Sequence, residues 1–199
     1  MSEKISRNEN IFKELGSLQE KALFFIAENP KNHKQNIQKG INYPPEQYGS
    51  ISKAVDTLED SGFIKSEKTI SQKNVSINIF ECTDSGILYA LAKNNQCNIL
   101  KVLDSNKEQV EFCKSFRALY DEWGLDHLAL FLRDIGEFLP MVHSKGIDYA
   151  LPFLMMKFSQ QQQRLDPKTR KKNVKAAMKQ FPKTKQMLKE MQANIKDLL

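Results

Sequence analysis

At 199 residues, with 40% hydrophobic and 27% charged side chains, the chain has enough apolar surface for one sizeable core or two small ones, which argues against wholesale disorder. No apolar run approaches the roughly 20 residues that cross a bilayer. The first fifteen residues are charged from Glu3 onward, unlike an export signal, so a cytoplasmic protein without membrane contact is expected.

The net charge of +6 is unevenly spread. Residues 1–95 hold 12 basic and 12 acidic groups, residues 96–156 hold 6 against 9, and residues 157–199 hold 12 against 3. The positive field therefore belongs to the C-terminal quarter.

Residues 1–16 read as a polar extension in which Ile11, Phe12 and Leu15 can form a short helix stopped at Gly16. Ser17-Leu18-Gln19-Glu20 fits a capping box, which predicts a helix from Leu18 to about Glu28, with Leu18, Ala22, Phe25 and Ile26 on one face. A short helix over Lys34 to Lys39 follows, ended by Gly40. Ile41-Asn42-Tyr43-Pro44-Pro45 is the turn into the next helix.

Between Pro45 and Gly86 the apolar period changes from helical to alternating near Gly62. Ile51, Val55 and Leu58, at i, i+4 and i+7, anchor a helix to a core. Its opposite face carries Gln47, Ser50, Lys53 and Thr57, groups able to hydrogen-bond at a base edge. Ser61-Gly62 ends that helix. Two β-prone runs follow, Ile64 to Lys68 and Val75 to Cys82, with Thr69 to Asn74 as a hairpin tip. Val75, Ile77 and Ile79 alternate with Ser76, Asn78 and Phe80, so one face is expected to be buried and the other partly wet.

These residues resemble the recognition helix and wing of winged helix-turn-helix regulators of the MarR, PadR and ArsR kind. Ser52-Lys53, Leu58 and Gly62-Phe63-Ile64 match the helix and its turn. Phe80, Thr83 and Gly86 match the Tyr-x-Leu-Thr-x-x-Gly pattern after the second strand, with Cys82 where Leu is usual. The resemblance covers roughly residues 17 to 93. It implies a DNA-binding transcriptional regulator of double-stranded DNA, acting as a homodimer. In that reading Gln47, Ser50 and Lys53 face bases, Ser52 and Thr57 of the same helix also bind DNA, and Lys65, Lys68 and Lys73 of the hairpin contact phosphate.

A helix from Asp84 to about Lys93 leaves the hairpin, and Ile99, Val102 and Leu103 add another turn or two. Ser105-Asn106-Lys107-Glu108 reads as a second capping box, opening a helix that stops at Gly124. Leu125 to Phe138 is the next helix, with Leu128, Leu132, Ile135 and Leu139 on its inner face. Ile147 to Gln163 follows, and its Phe153, Leu154, Met155, Met156 and Phe158 exceed one narrow stripe. A helix buried on several sides explains them; a ligand pocket is the sharper alternative.

Asp166-Pro167 looks like a helix start. Arg170, Lys171, Lys172, Lys175 and Lys179 follow, with only Val174, Ala177, Met178 and Phe181 to bury, and Pro182 breaks the helix. A last segment places Leu188, Met191, Ile195 and Leu198 at heptad-like spacing. This tail is read as a solvated basic hairpin, as a non-specific phosphate contact through those five basic residues, or as a helix for a partner.

The expected fold class is mainly α with a small β-hairpin: an N-terminal extension over 1–16, a winged helix domain over 17–95, a C-terminal helical domain over 96–163 and a basic helical tail over 164–199. No nucleophile elbow, zinc-protease helix, phosphate loop or dinucleotide fingerprint is found, so no enzyme and no cofactor is expected. Cys82, Cys97 and Cys113 lack zinc spacing and form no pair motif, so three buried or half-buried thiols are expected and no metal, with redox sensing by Cys113 the less favoured alternative. The alternative function is a winged helix used for protein contacts, with a partner held by the C-terminal helices and any nucleic acid held by the tail.

Overall fold

The structure is a computed structural model that describes residues 15–70, 76–93, 95–161, 166–182 and 186, without the side chains of 143, 158, 159 and 161. Its first helix, α1 (Ser17–Glu28), starts one residue earlier than its sequence predicts. Gly16 holds the cap position, and its amide donates to the Gln19 side chain at 2.7 Å. Glu20 does not close the expected box. It accepts from the Tyr89 hydroxyl at 2.7 Å and lies 3.8 Å from Lys93, so partners some seventy positions away outcompete the local cap.

The chain then bridges to the hairpin before entering α2 (Lys34–Gly40). Lys31 donates its amide to the Phe80 carbonyl, and the Phe80 amide donates to the Asn32 carbonyl, both at 2.9 Å. One antiparallel bridge thus sets Asn32 beside the second strand. A single 3₁₀ turn over Pro45–Gln47 leads into α3 (Tyr48–Asp60). Ile51, Val55 and Leu58 are fully buried, as their spacing requires. Truncating Ile51 or Leu58 to Ala would cost about 2–5 kcal/mol.

Gly62, at φ +73°, takes the left-handed conformation that ends α3. Its amide donates to the Glu59 carbonyl and that of Phe63 to the Leu58 carbonyl, a Schellman motif that satisfies two terminal carbonyls. Phe63 enters the core at 1% exposure.

β1 (Ile64–Ile70) and β2 (Ser76–Cys82) pair antiparallel, with Ile64 opposite Cys82 and Lys68 opposite Asn78. β1 runs two residues past its expected end, because Thr69 and Ile70 still pair with Ile77 and Ser76. Residues 71–75, and with them Val75 and most of the expected tip, lie outside the described residues. The hairpin face that reaches the core is that of Ile64, Phe80 and Cys82. Ile77 and Ile79 are only half buried, so Phe80, the apolar exception in the alternation, is the anchor.

Thr83 caps α4 (Asp84–Ala92), its hydroxyl accepting from the Gly86 amide and lying 2.7 Å from the Gly62 carbonyl. α5 (Ile99–Asn106) contains Ser105 and Asn106, so the second capping box does not form. The Asn106 amide, 2% exposed, donates to the Ala27 carbonyl at 2.8 Å, and Ser105 donates to the Glu28 carbonyl at 3.0 Å. Those are end carbonyls of α1, which lack helical partners of their own. The pair that reads as a helix start closes another helix.

α6 (Glu111–Trp123), α7 (Leu125–Lys145) and α8 (Ile147–Gln161) are separated by the single residues Gly124 and Gly146. α7 continues past Phe138 and through Pro140, which has no N–H to offer the Gly136 carbonyl. Buried Leu139 and Val142 hold the last turns in place. Leu128, Leu132 and Ile135 are fully buried. In α8, Leu154 and Met155 are buried, Phe153 is half buried and Met156 is exposed.

α9 (Pro167–Gln180) starts at Asp166, whose carboxylate accepts from the Lys168 and Thr169 amides. A hydrogen bond from the Thr169 side chain, together with those amide bonds, holds its carboxyl below the usual carboxylate range. α9 packs on α6, and Phe181 meets Phe116 edge-on at 5.6 Å. Phe116 in turn meets Phe131 of α7 at 6.0 Å. The buried side chains from Ala22 to Phe181 form one continuous cluster, and the described chain is mainly helical with one two-stranded antiparallel sheet. Leu188, Met191, Ile195 and Leu198 lie outside the described residues.

Candidate nucleic-acid interface

The outward groups at α3 are of two kinds, unengaged and engaged. Gln47, the last residue of the 3₁₀ turn, and Ser50 and Lys53 of α3 are all exposed, and Tyr48 is 38% exposed beside them. A Cβ added at Gly49 would meet nothing within 4 Å, so the helix backbone is bare there. Among the described residues the side chains of Gln47, Ser50 and Lys53 have no hydrogen-bond partner, which leaves an amide, a hydroxyl and an ammonium available to a ligand.

Other outward groups of α3 are already engaged. Lys34, opening α2, donates to the Ser52 hydroxyl at 2.9 Å and pairs with Asp56 at 2.5 Å. Ser52 is half buried in that contact. The Thr57 hydroxyl donates back to the Lys53 carbonyl at 2.8 Å, and Ser66 of β1 donates to Glu59 at 2.5 Å. Ser52 therefore faces neighbours within the fold, whereas Thr57, at i+7 from Ser50 and i+4 from Lys53, stays on the side that they share, with its hydroxyl bonded to its own helix.

This matters for charge, because α3 carries one lysine against Asp56, Glu59 and Asp60. Lys34 offsets Asp56, and its role was invisible in the sequence: it sits 22 positions away with no motif between. The remaining acids lie at the C-terminal end, away from the helix start.

In the hairpin, Lys65 pairs with Glu81 at 2.9 Å. The hydrogen bond and charge of that carboxylate hold its ammonium pKa above the ordinary value, so Lys65 is spoken for. Lys68 is exposed and makes no ion pair with another described residue, whereas Lys73 lies outside the described residues. Ile70, beyond Lys68 on the same strand, is 75% exposed.

On α9 the chain presents a second basic surface. Lys171, Lys172, Lys175 and Lys179 are exposed and Arg170 is half buried, while Asn173, Ala176 and Ala177 turn inward. The helix holds no acidic residue. The first part of the tail is thus a packed helix with a solvated basic side.

Elsewhere the described residues show no group of three or more His, Cys, Asp or Glu side chains able to hold a metal. No described helix is long and apolar enough to cross a membrane. Burial pushes the Cys97 and Cys113 thiols up to about 12 and Cys82 higher still. A cavity of about 240 Å³ lies where α6, α8 and the end of α9 meet, lined by Phe112, Leu151 and Phe181 among others. Phe153, Leu154, Met155 and Met156 do not line it. No family model, curated protein or solved structure matches the chain.

Proposed function

We propose that residues 17–93 form a winged helix-turn-helix that binds double-stranded DNA, followed by a C-terminal helical domain through which two copies pair. α3 lies in the major groove by its N-terminal half, Gln47, Ser50 and Lys53 read base edges, and Lys68 contacts phosphate. The observation that carries this reading is the unengaged polar start of α3, on a helix that runs into the β1–β2 hairpin, which the Asn32 bridge to Phe80 ties to the segment before α2. Helix, bridging residue, short helix, helix and hairpin follow one another in the order such a unit requires. Bare backbone at Gly49 lets the helix approach the groove floor closely. The α9 lysines add a sequence-independent, salt-sensitive contact.

The test is selection of bound duplexes from a random pool, followed by anisotropy titrations. Lys53→Ala is expected to weaken the selected site by roughly tenfold to a hundredfold, as removal of one base-reading group does, with non-specific binding nearly unchanged. Absence of duplex binding at low salt removes the proposal.

A second reading, docking on a protein, is favoured by one observation. The hairpin presents Ile70 at 75% exposure while Lys65 is neutralised by Glu81, a surface more apolar than a phosphate-binding wing needs. Under that reading Ile70→Lys abolishes partner capture and Lys53→Ala does not.

A further inference from the structure

From the face that α7 leaves uncovered, we infer that the chain forms a two-fold homodimer in which two α7 helices pack antiparallel, with the axis between Ala129 and Leu130. This gives the pairing of copies in the proposed DNA reader a specific surface, and it rests on that reading only for its purpose. Asp126, Ala129, Leu130 and Arg133 line one shallow groove on the outer side of α7. Leu125 and Leu130 beside it are 46% and 42% exposed, two of the few large apolar side chains that the described residues leave open.

Charge selects the occupant. Asp126 and Arg133 are exposed, and neither has an ion-pair partner among the described residues. They stand seven positions apart on one face, about 10.5 Å along the axis, too far to pair within the helix. Glu137, next on that face, is already held by Lys157 at 2.5 Å.

A two-fold axis through the midpoint of 126 and 133 passes between Ala129 and Leu130. It sets Asp126 against Arg133 of the partner subunit, and the reverse, so both charges are matched twice. Ala129 lets the helices approach, and Leu130 fills the centre against it. A parallel arrangement would instead set like charges together. One helix face is a small interface, so the dimer is weak in free solution and strengthened wherever two half-sites hold it.

Sedimentation equilibrium of the full chain without DNA tests this. The native chain is expected to dimerise with rising concentration. Asp126→Arg and Arg133→Asp should each raise the dissociation constant roughly tenfold or more, since each sets two like-charge pairs side by side. An equimolar mixture of the two variants should recover native association, because one copy then carries two arginines and the other two aspartates. Thermal scans check that each variant is folded. A monomeric native chain, unchanged association in the single variants, or a mixture no better than its components overturns the inference. None of these outcomes depends on DNA, so duplex binding by the same native sample tests the reader separately.

Discussion

Gly86 sits so close to Phe63 that a Cβ built on it would lie 2.0 Å from the Phe63 carbonyl oxygen. The contact joins the start of α4 to the residue that follows α3, at the point where the Thr83 amide donates to that same carbonyl. Backbone, not a flexible side chain, fills the space, so nothing can yield cheaply.

Gly86→Ala is therefore expected to destabilise the fold by about 3 kcal/mol or more. For a chain of this size that lowers the midpoint of thermal unfolding by roughly 6–12 °C, read by circular dichroism. An unchanged midpoint would mean that the hairpin and α4 are not packed together at this point.

Asn106→Ala should cost about 1–3 kcal/mol, because it strips the Ala27 carbonyl of its buried donor in the last turn of α1. Hydrogen exchange should rise at the end of α1 as well as in α5. Acceleration in α5 alone would contradict the cross-helix cap.

Lys34→Met leaves Asp56 without its cation. The pair is partly exposed, so stability should change by about 1 kcal/mol or less. Affinity for duplex DNA should fall several-fold at low salt, since an unscreened carboxylate then faces phosphate, and Asp56→Asn in the same chain should restore it.

Replacing Lys171, Lys172, Lys175 and Lys179 by Ala should weaken binding to all duplexes alike. The slope of log affinity against log salt should become shallower by about 0.9 for every phosphate no longer neutralised. Weakening confined to the selected sequence would instead make α9 a base reader.

Buried thiols make stability depend on alkaline pH. Their folded pKa values are raised by burial above the ordinary thiol value of 9.0, so the folded state keeps protons that the unfolded state releases. The stabilisation is complete below pH 9 and declines as pH rises above it, by up to about 1.4 kcal/mol per pH unit for each thiol. Urea midpoints at pH 8, 9 and 10 should fall in turn, and less steeply in Cys113→Ala.

Where a signal was local, the sequence carried it. Ile51, Val55 and Leu58 fall inward because a 3.6-residue period leaves no other side for them, and Gly62 ends α3 because the next residue must turn back to the core. The segments that folded otherwise were locally plausible too. Ser105-Asn106 has the composition of a cap and serves as one, but for the end of α1. Pro140 looks like a stop, yet buried Leu139 and Val142 outweigh one missing hydrogen bond. For the candidate interface, the exposed start of α3 was legible from periodicity, whereas the engagement of Ser52 and Lys65 was not.

By itself the sequence determined the order of helices and strands and the inward side of most of them, because those follow from backbone preferences and periods within a few residues. Tertiary structure alone decided which polar groups stay available. Lys34 reaches Ser52 and Asp56, and Glu81 reaches Lys65, across spans of chain whose closure depends on the packing of α2 and the register of the hairpin. Charge neutralisation is set by distances of a few ångströms between segments, and no local pattern encodes those.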